Sequence, residues 1–190
     1  MRAHTLITAA ATPTIEIVRN IADAQLEAPT PCTEYTVRKL VNHLLFWGPW
    51  LVGAAVKQSV SLPAESDKDV DLVGPDWAKD LEEQIEHVVA AWSEPAAWEG
   101  ATGQPEMPAA MVGGMVCDEL ILHGWDLARA TGQEVGWNEE ILTFAHQEVS
   151  ATAKMGRDMG MYGPEVDVPS SASTLDRMLG LSGRDPNWKP

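Results

Sequence analysis

The chain is short of positive charge. Its 13 Lys and Arg stand against 28 Asp and Glu, a formal net charge of −15 with a pI near 4.5. That excludes DNA and RNA as partners, because phosphate binding needs a basic surface. It also argues against anionic membrane surfaces. Cysteine is scarce too: Cys32 and Cys117 are the two present and no Cys-x-x-Cys joins them. Both thiols are expected to be reduced and non-catalytic. No apolar run approaches the roughly 20 residues that span a bilayer. Residues 1 to 12 lack the basic region, apolar core and cleavage site of a secretory signal. A cytoplasmic protein is expected. Gly-x-Gly-x-x-Gly, P-loop, His-Glu-x-x-His and Gly-x-Ser-x-Gly signatures are all missing, which removes nucleotide chemistry and the commonest hydrolase motifs. Aromatics make up 6% of the residues, yet eight of them are Trp, a residue that both fills apolar space and stacks on ligands.

What is present suffices for one domain over residues 1–190, with 45% hydrophobic residues. Apolar residues recur at helical spacing from 5 to 26, interrupted by Pro13. This predicts a helix that is kinked there or starts near Thr12. Ala-Pro-Thr-Pro-Cys, residues 28 to 32, makes a rigid connector. A second helix is predicted from an N-cap at Thr36 to about Val56, bent at Pro49. A third runs from about Asp76 to Trp92, with Trp77, Leu81, Ile85 and Val88 on one stripe. A fourth starts near Pro108 and ends near Thr131-Gly132, and a fifth spans Asn138 to about Lys154. A short helix near Leu175 to Leu179 follows in an otherwise loop-like tail. No period-2 alternation is sustained. The expected fold is all-α, a four-helix bundle with added segments. Gly113-Gly114 inside the fourth helix reads as a close helix contact.

One spacing carries chemistry. Glu119 and His123 lie four residues apart on the fourth helix, so both project from one face about one turn apart. A carboxylate and an imidazole so placed can share a divalent metal ion. His43, in the apolar setting Val-Asn-His-Leu-Leu of the second helix, is the candidate third ligand. Asp126 can orient the His123 imidazole through a hydrogen bond, or pair with Arg129 on the surface. Cys117 is two residues from Glu119, about 200° round the helix, and should point away. His4, His87 and His146 are expected on the surface, although Glu83 precedes His87 at the same four-residue spacing.

Three segments resemble a known family. Residues 29 to 44, Pro-Thr-Pro-Cys-Thr-Glu-Tyr-Thr-Val-Arg-Lys-Leu-Val-Asn-His-Leu, resemble the opening of helix 2 in actinobacterial DinB-like proteins. These are related to the N-terminal domain of mycothiol-dependent maleylpyruvate isomerase. His-Gly-Trp-Asp-Leu-Ala-Arg-Ala-Thr-Gly-Gln, residues 123 to 133, resembles the family's helix 4. Gly183-Arg184-Asp185-Pro186 followed by Trp188 resembles the ending of short members. The resemblance implies a DinB/YfiT-like bundle with a metal site near one end. It places the ligands on His43, Glu119 and His123, with Glu119 where many DinB relatives have a third His. The isomerase carries a second, C-terminal domain that helps form its active site. This chain is expected to end with the first, so maleylpyruvate isomerisation itself is not carried over.

Two imidazoles and a carboxylate leave coordination positions open, as in catalytic zinc sites, although Ni²⁺, Co²⁺ or Fe²⁺ also suit such donors. With Zn²⁺ the set carries net +1, which favours an anion such as a thiolate. The expected function is a metal-dependent S-transferase or isomerase. In it a low-molecular-weight thiol, mycothiol by the resemblance, attacks an electrophilic small molecule. The alternatives are a non-catalytic metal- or ligand-binding or stress-related protein, and a metal-assisted hydrolase with Asp126 as base. A homodimer is allowed for.

Overall fold

The computed structural model describes residues 3–103 and 105–190, with side chains from Thr5 onward. The His4 side chain lies outside the described residues. Among the described residues there are six α-helices: α1 (Ala3–Arg19), α2 (Val37–Ala55), α3 (Trp77–Ser93), α4 (Ala109–Thr131), α5 (Glu139–Asp158) and α6 (Thr174–Leu181). Among the described residues there is no strand, only isolated bridges between Pro29 and Thr36 and between Ala101 and Pro108. α1 and α2 each pack against both α3 and α4, which makes the four-helix bundle. α5 lies on the outside of α4 and α6 lies on α5.

The helix ends are set by local chemistry. Thr36 caps α2 by accepting from the Lys39 backbone N–H, and Asn138 caps α5 by accepting from Glu140 and Ile141. Gly132 ends α4 in the left-handed conformation, φ +73°, its N–H returning to the Ala128 carbonyl. On α3 the stripe Trp77, Leu81, Ile85, Val88 and Trp92 is buried. α4 is buried on nearly every side, because α1, α2 and α5 surround it.

The first helix differs from expectation. It passes through Pro13 but stops at Arg19, and residues 23–25 form a separate 3-10 turn. Ile21 and Leu26 are buried all the same, so the apolar pattern ran on past the helix. The chain leaves the helix there because its carbonyls are needed elsewhere. Leu26 O accepts from Arg38 N at 2.7 Å and Ala28 O from Val37 N at 3.0 Å. These satisfy donors in the first turn of α2 that have no partner within the helix. α5 runs four residues beyond Lys154 to Asp158, and Lys154 and Asp158 pair one turn apart at 2.6 Å.

Two contacts set the alignment of α2 and α4. Lys57, just past α2, donates to Ala97 O at 2.8 Å, and the neighbouring Trp98 ring lies on Gly113 near the start of α4. At the other end Cys32, before α2, meets His123 in the second half of α4. The two helices are therefore antiparallel. Gly113 and Gly114 do make close contacts: an added Cβ would stand 2.4 Å from the Trp98 ring or from Glu148 Oε2, respectively.

A candidate metal centre between α2 and α4

His43, Glu119 and His123 come together across α2 and α4, each offering one ligand atom within 4.8 Å of the others. His43 Nε2 is 3.0 Å from Glu119 Oε1, and His123 Nε2 is 3.6 Å from the same oxygen. The two imidazole rings meet edge to face with centroids 5.2 Å apart. Side-chain exposures of 18%, 28% and 12% for His43, Glu119 and His123 leave solvent access to the group. The spacing argument on α4 and the candidate on α2 thus converge in space.

The outer nitrogen of each imidazole is already used. His43 Nδ1 is 2.8 Å from Asp67 Oδ2, and His123 Nδ1 is 2.9 Å from Asp126 Oδ2. A carboxylate only accepts, so each Nδ1 donates its proton there, and Nε2 is the atom of each ring turned toward Glu119. Metal-ligating histidines are held in this way. Beside Glu119 the His43 Nε2 holds a proton, and a metal ion taking both Nε2 atoms and the carboxylate would stand in its place. Burial would lower the His43 pKa, but hydrogen bonds and charge from Glu119 and Asp67 outweigh it and push the pKa up to about 9. Burial would raise Glu119, but the two histidines and Arg184 pull it down to about 2. The donor set therefore fits a divalent cation that replaces the His43 proton.

One orienting carboxylate, Asp67, comes from outside the bundle helices, and the other, Asp126, lies on α4 three residues past His123. Asp67 opens a short 3-10 turn, residues 67–69, in the long connection before α3. It accepts from the Tyr35 hydroxyl at 3.1 Å and the Ser66 hydroxyl at 3.2 Å. Asn42, beside His43, ties this connection down by donating to Asp67 O and Val70 O and accepting from Leu72 N. Asp126 is fully buried and pairs with Arg184, through Nε to Oδ1 at 2.9 Å and NH2 to Oδ2 at 2.8 Å. Of the two roles expected for Asp126, orienting His123 is the one seen. Arg129 instead lies over the Trp125 ring and donates to Trp188 O.

Cys32 also reaches this region. Its sulfur forms a second close group with His123 and Asp126. A cation there would face the Arg184 guanidinium, which already occupies both oxygens of Asp126. Burial and then the Asp126 charge push the Cys32 thiol up to about 11, so it is neutral near pH 7. Cys117 is fully buried on the far side of α4, and burial raises its pKa further still. His87 is exposed and His146 half-buried, and neither joins a cluster among the described residues. Sequence reasoning missed Asp67 and Arg184. The Gly-Arg-Asp-Pro segment had marked the place of Arg184, while Asp67 lies in a polar loop that gave no signal.

Comparisons with known proteins identify relatives of the chain and of its fold. Two uncharacterized proteins, from two strains of Mycobacterium tuberculosis, are each 28% identical over 174 residues, covering 88% of this chain and 90% of theirs. The crystal structure of the mycothiol-dependent maleylpyruvate isomerase superposes with a TM-score of 0.63 at 14% identity. The match covers 98% of this chain and 80% of the isomerase, and a histidine-to-alanine mutant of that enzyme matches equally. At that identity the likeness establishes the fold. Among the described residues no helix is long and apolar enough to cross a membrane. Residues 7–128, which carry α2, most of α4 and all three converging side chains, match the model of one family, so the chain belongs to the mycothiol maleylpyruvate isomerase N-terminal domain family.

Proposed function

We propose that the protein binds a divalent metal ion through His43, Glu119 and His123 and uses it in a thiol-dependent transfer or isomerisation on an electrophilic small molecule. The observation that carries this reading is the paired orientation of the imidazoles. Each Nδ1 is committed to a buried carboxylate, and each Nε2 faces Glu119. Bound there, a divalent ion such as Zn²⁺ would lower a thiol's pKa and polarise an electrophile. The residues present do the rest. Asp67 and Asp126 fix the tautomers, and Glu119 leaves the site one positive charge to hold an anionic sulfur. Mycothiol is the proposed thiol because the superposed isomerase is named for its dependence on it.

The hydrolytic reading is weaker. It requires Asp126 to reach a water as base, yet that carboxylate is fully buried with both oxygens engaged. A purely binding role shares the same ligands and is separated by turnover. Purified protein should take up one Zn²⁺ per chain in a calorimetric titration, and His43→Ala or His123→Ala should abolish uptake while the far-ultraviolet spectrum stays helical. The loaded protein should then convert mycothiol and an electrophile from a panel into a conjugate or isomer seen by mass spectrometry. Uptake without product would leave the binding role, and no uptake would end both readings.

A further inference from the structure

We infer that Arg184 is a positioning residue of the metal centre, and that docking of the C-terminal strap at residues 182–188 is coupled to metal binding. The inference rests on the metal reading above and extends it to a part of the chain beyond the 7–128 family match.

The geometry runs in one line from the strap to the ligand. The Arg184 guanidinium, 7% exposed, grips both oxygens of Asp126, which is 0% exposed. A two-pronged grip fixes the plane of a carboxylate as well as its position. Asp126 Oδ2 is the oxygen that receives His123 Nδ1–H. The plane of Asp126 therefore sets the direction of that hydrogen bond, and so where Nε2 points. Arg184 NH2 also stands 3.4 Å from His123 Nδ1. A guanidinium has no lone pair to offer, so it cannot serve that nitrogen as acceptor and leaves Asp126 to do so.

The strap is built to deliver this guanidinium. After α6 the chain turns at Gly183, φ +84°, whose added Cβ would stand 2.7 Å from the Gly163 backbone. Arg184 N donates to Leu179 O at 2.9 Å, and NH1 donates to the Ser182 hydroxyl at 3.2 Å. Farther along, Trp188 O accepts from Arg129 NH2 at 2.8 Å. Asp126 and Arg129 are three residues apart on α4, so one face of that helix holds the strap at two points. His43, by contrast, is oriented by Asp67 from the connection before α3. If strap docking and metal binding both depend on the His123 orientation, each must stabilise the other.

The test compares Zn²⁺ affinity in the full-length protein, Arg184→Ala, Arg184→Lys and Arg157→Ala. It adds amide hydrogen exchange across the strap with and without Zn²⁺. Arg157 donates to Leu181 O, next to the strap, without touching Asp126. Arg184→Ala should lose roughly 10- to 100-fold in affinity, the scale typical of a ligand's supporting partner. Arg184→Lys should lose less, because it keeps the charge but not the fork, and Arg157→Ala should match wild type. The visible spectrum of bound Co²⁺ should shift in both Arg184 variants. Zn²⁺ should slow exchange in the wild-type strap. Affinity within twofold of wild type in folded Arg184→Ala, or no slowing of strap exchange by Zn²⁺, would overturn the inference while leaving the metal reading intact. If Arg184→Ala does not fold, the Lys variant and the exchange experiment decide. A wild-type protein that binds no Zn²⁺ fails at the earlier step, and both readings fall with it.

Discussion

His43 is pressed between two carboxylates, Glu119 at Nε2 and Asp67 at Nδ1. In the metal-free protein this raises its pKa to about 9 from its ordinary value of 6.5. Its proton therefore adds stability that is fully present below about 6.5 and disappears as pH rises through 9. A metal ion needs the same lone pair, so binding expels the proton. Apparent Zn²⁺ affinity should then rise with pH by roughly tenfold per unit between pH 6.5 and 9. Titrations at pH 6.5 and 8 check this, and equal affinities at the two values would remove His43 from the ligand set. Replacing Asp67 by Asn should weaken binding roughly 10- to 100-fold without unfolding the bundle, measured by competition with a chelating dye. The thiols give a prediction of the opposite kind. With Cys32 held up near 11 by burial and Asp126, about one part in a thousand is thiolate at pH 8. Iodoacetamide at pH 8 should leave Cys32 and Cys117 unmodified in the folded protein and label both in denaturant. Rapid labelling of Cys32 in the native state would show a thiol far more reactive than this burial allows.

At the scale of elements, α4 carries most of the site, and its fit depends on residues with no side chain. Gly124 follows His123, and a Cβ there would stand 2.8 Å from Thr14 Oγ1 and 2.9 Å from the Trp137 ring. Thr14 is itself tied to Leu120 O and Ala10 O, and Trp137 Nε1 to Ala10 O. Neither neighbour can move without losing a buried hydrogen bond. Gly124→Ala should cost about 1–3 kcal/mol in overpacking, against about 1 kcal/mol gained in helix propensity, a net loss in urea denaturation. A stabilised variant would show the contact to be looser. The elements most legible in the sequence were those whose ends carry their own chemistry: Thr36, Asn138 and Gly132 each marked a boundary from a single residue. α1 was less legible because Ile21 and Leu26 keep the apolar pattern while the backbone has left the helix to cap α2. Helical periodicity brought Glu119 and His123 together, and the bundle added His43. Asp67, Tyr35 and Arg184 were not readable because they reach the site through loops, where no period relates sequence distance to distance in space.

For the whole molecule the metal would act as a cross-link. His43 is on α2 while Glu119 and His123 are on α4, two helices far apart in sequence that pack side by side. A bound ion joins them in the folded state and has no such site in the unfolded chain. The stabilisation follows from mass action and reaches about 2.7 kcal/mol at a free metal concentration 100 times Kd. For a chain of this length each kcal/mol moves the midpoint by about 2–4 °C, so Zn²⁺ at that excess should raise Tm by roughly 5–10 °C. EDTA should reverse the rise. His43→Ala should abolish it, because the link loses its α2 end. The net charge of −15 attracts cations to the surface generally, so Mg²⁺ at the same ionic strength is the control: it screens charge but suits oxygen donors rather than imidazole. A rise produced equally by Mg²⁺, or retained in His43→Ala, would mean that metal ions stabilise this protein by relieving its negative charge and not by joining α2 to α4.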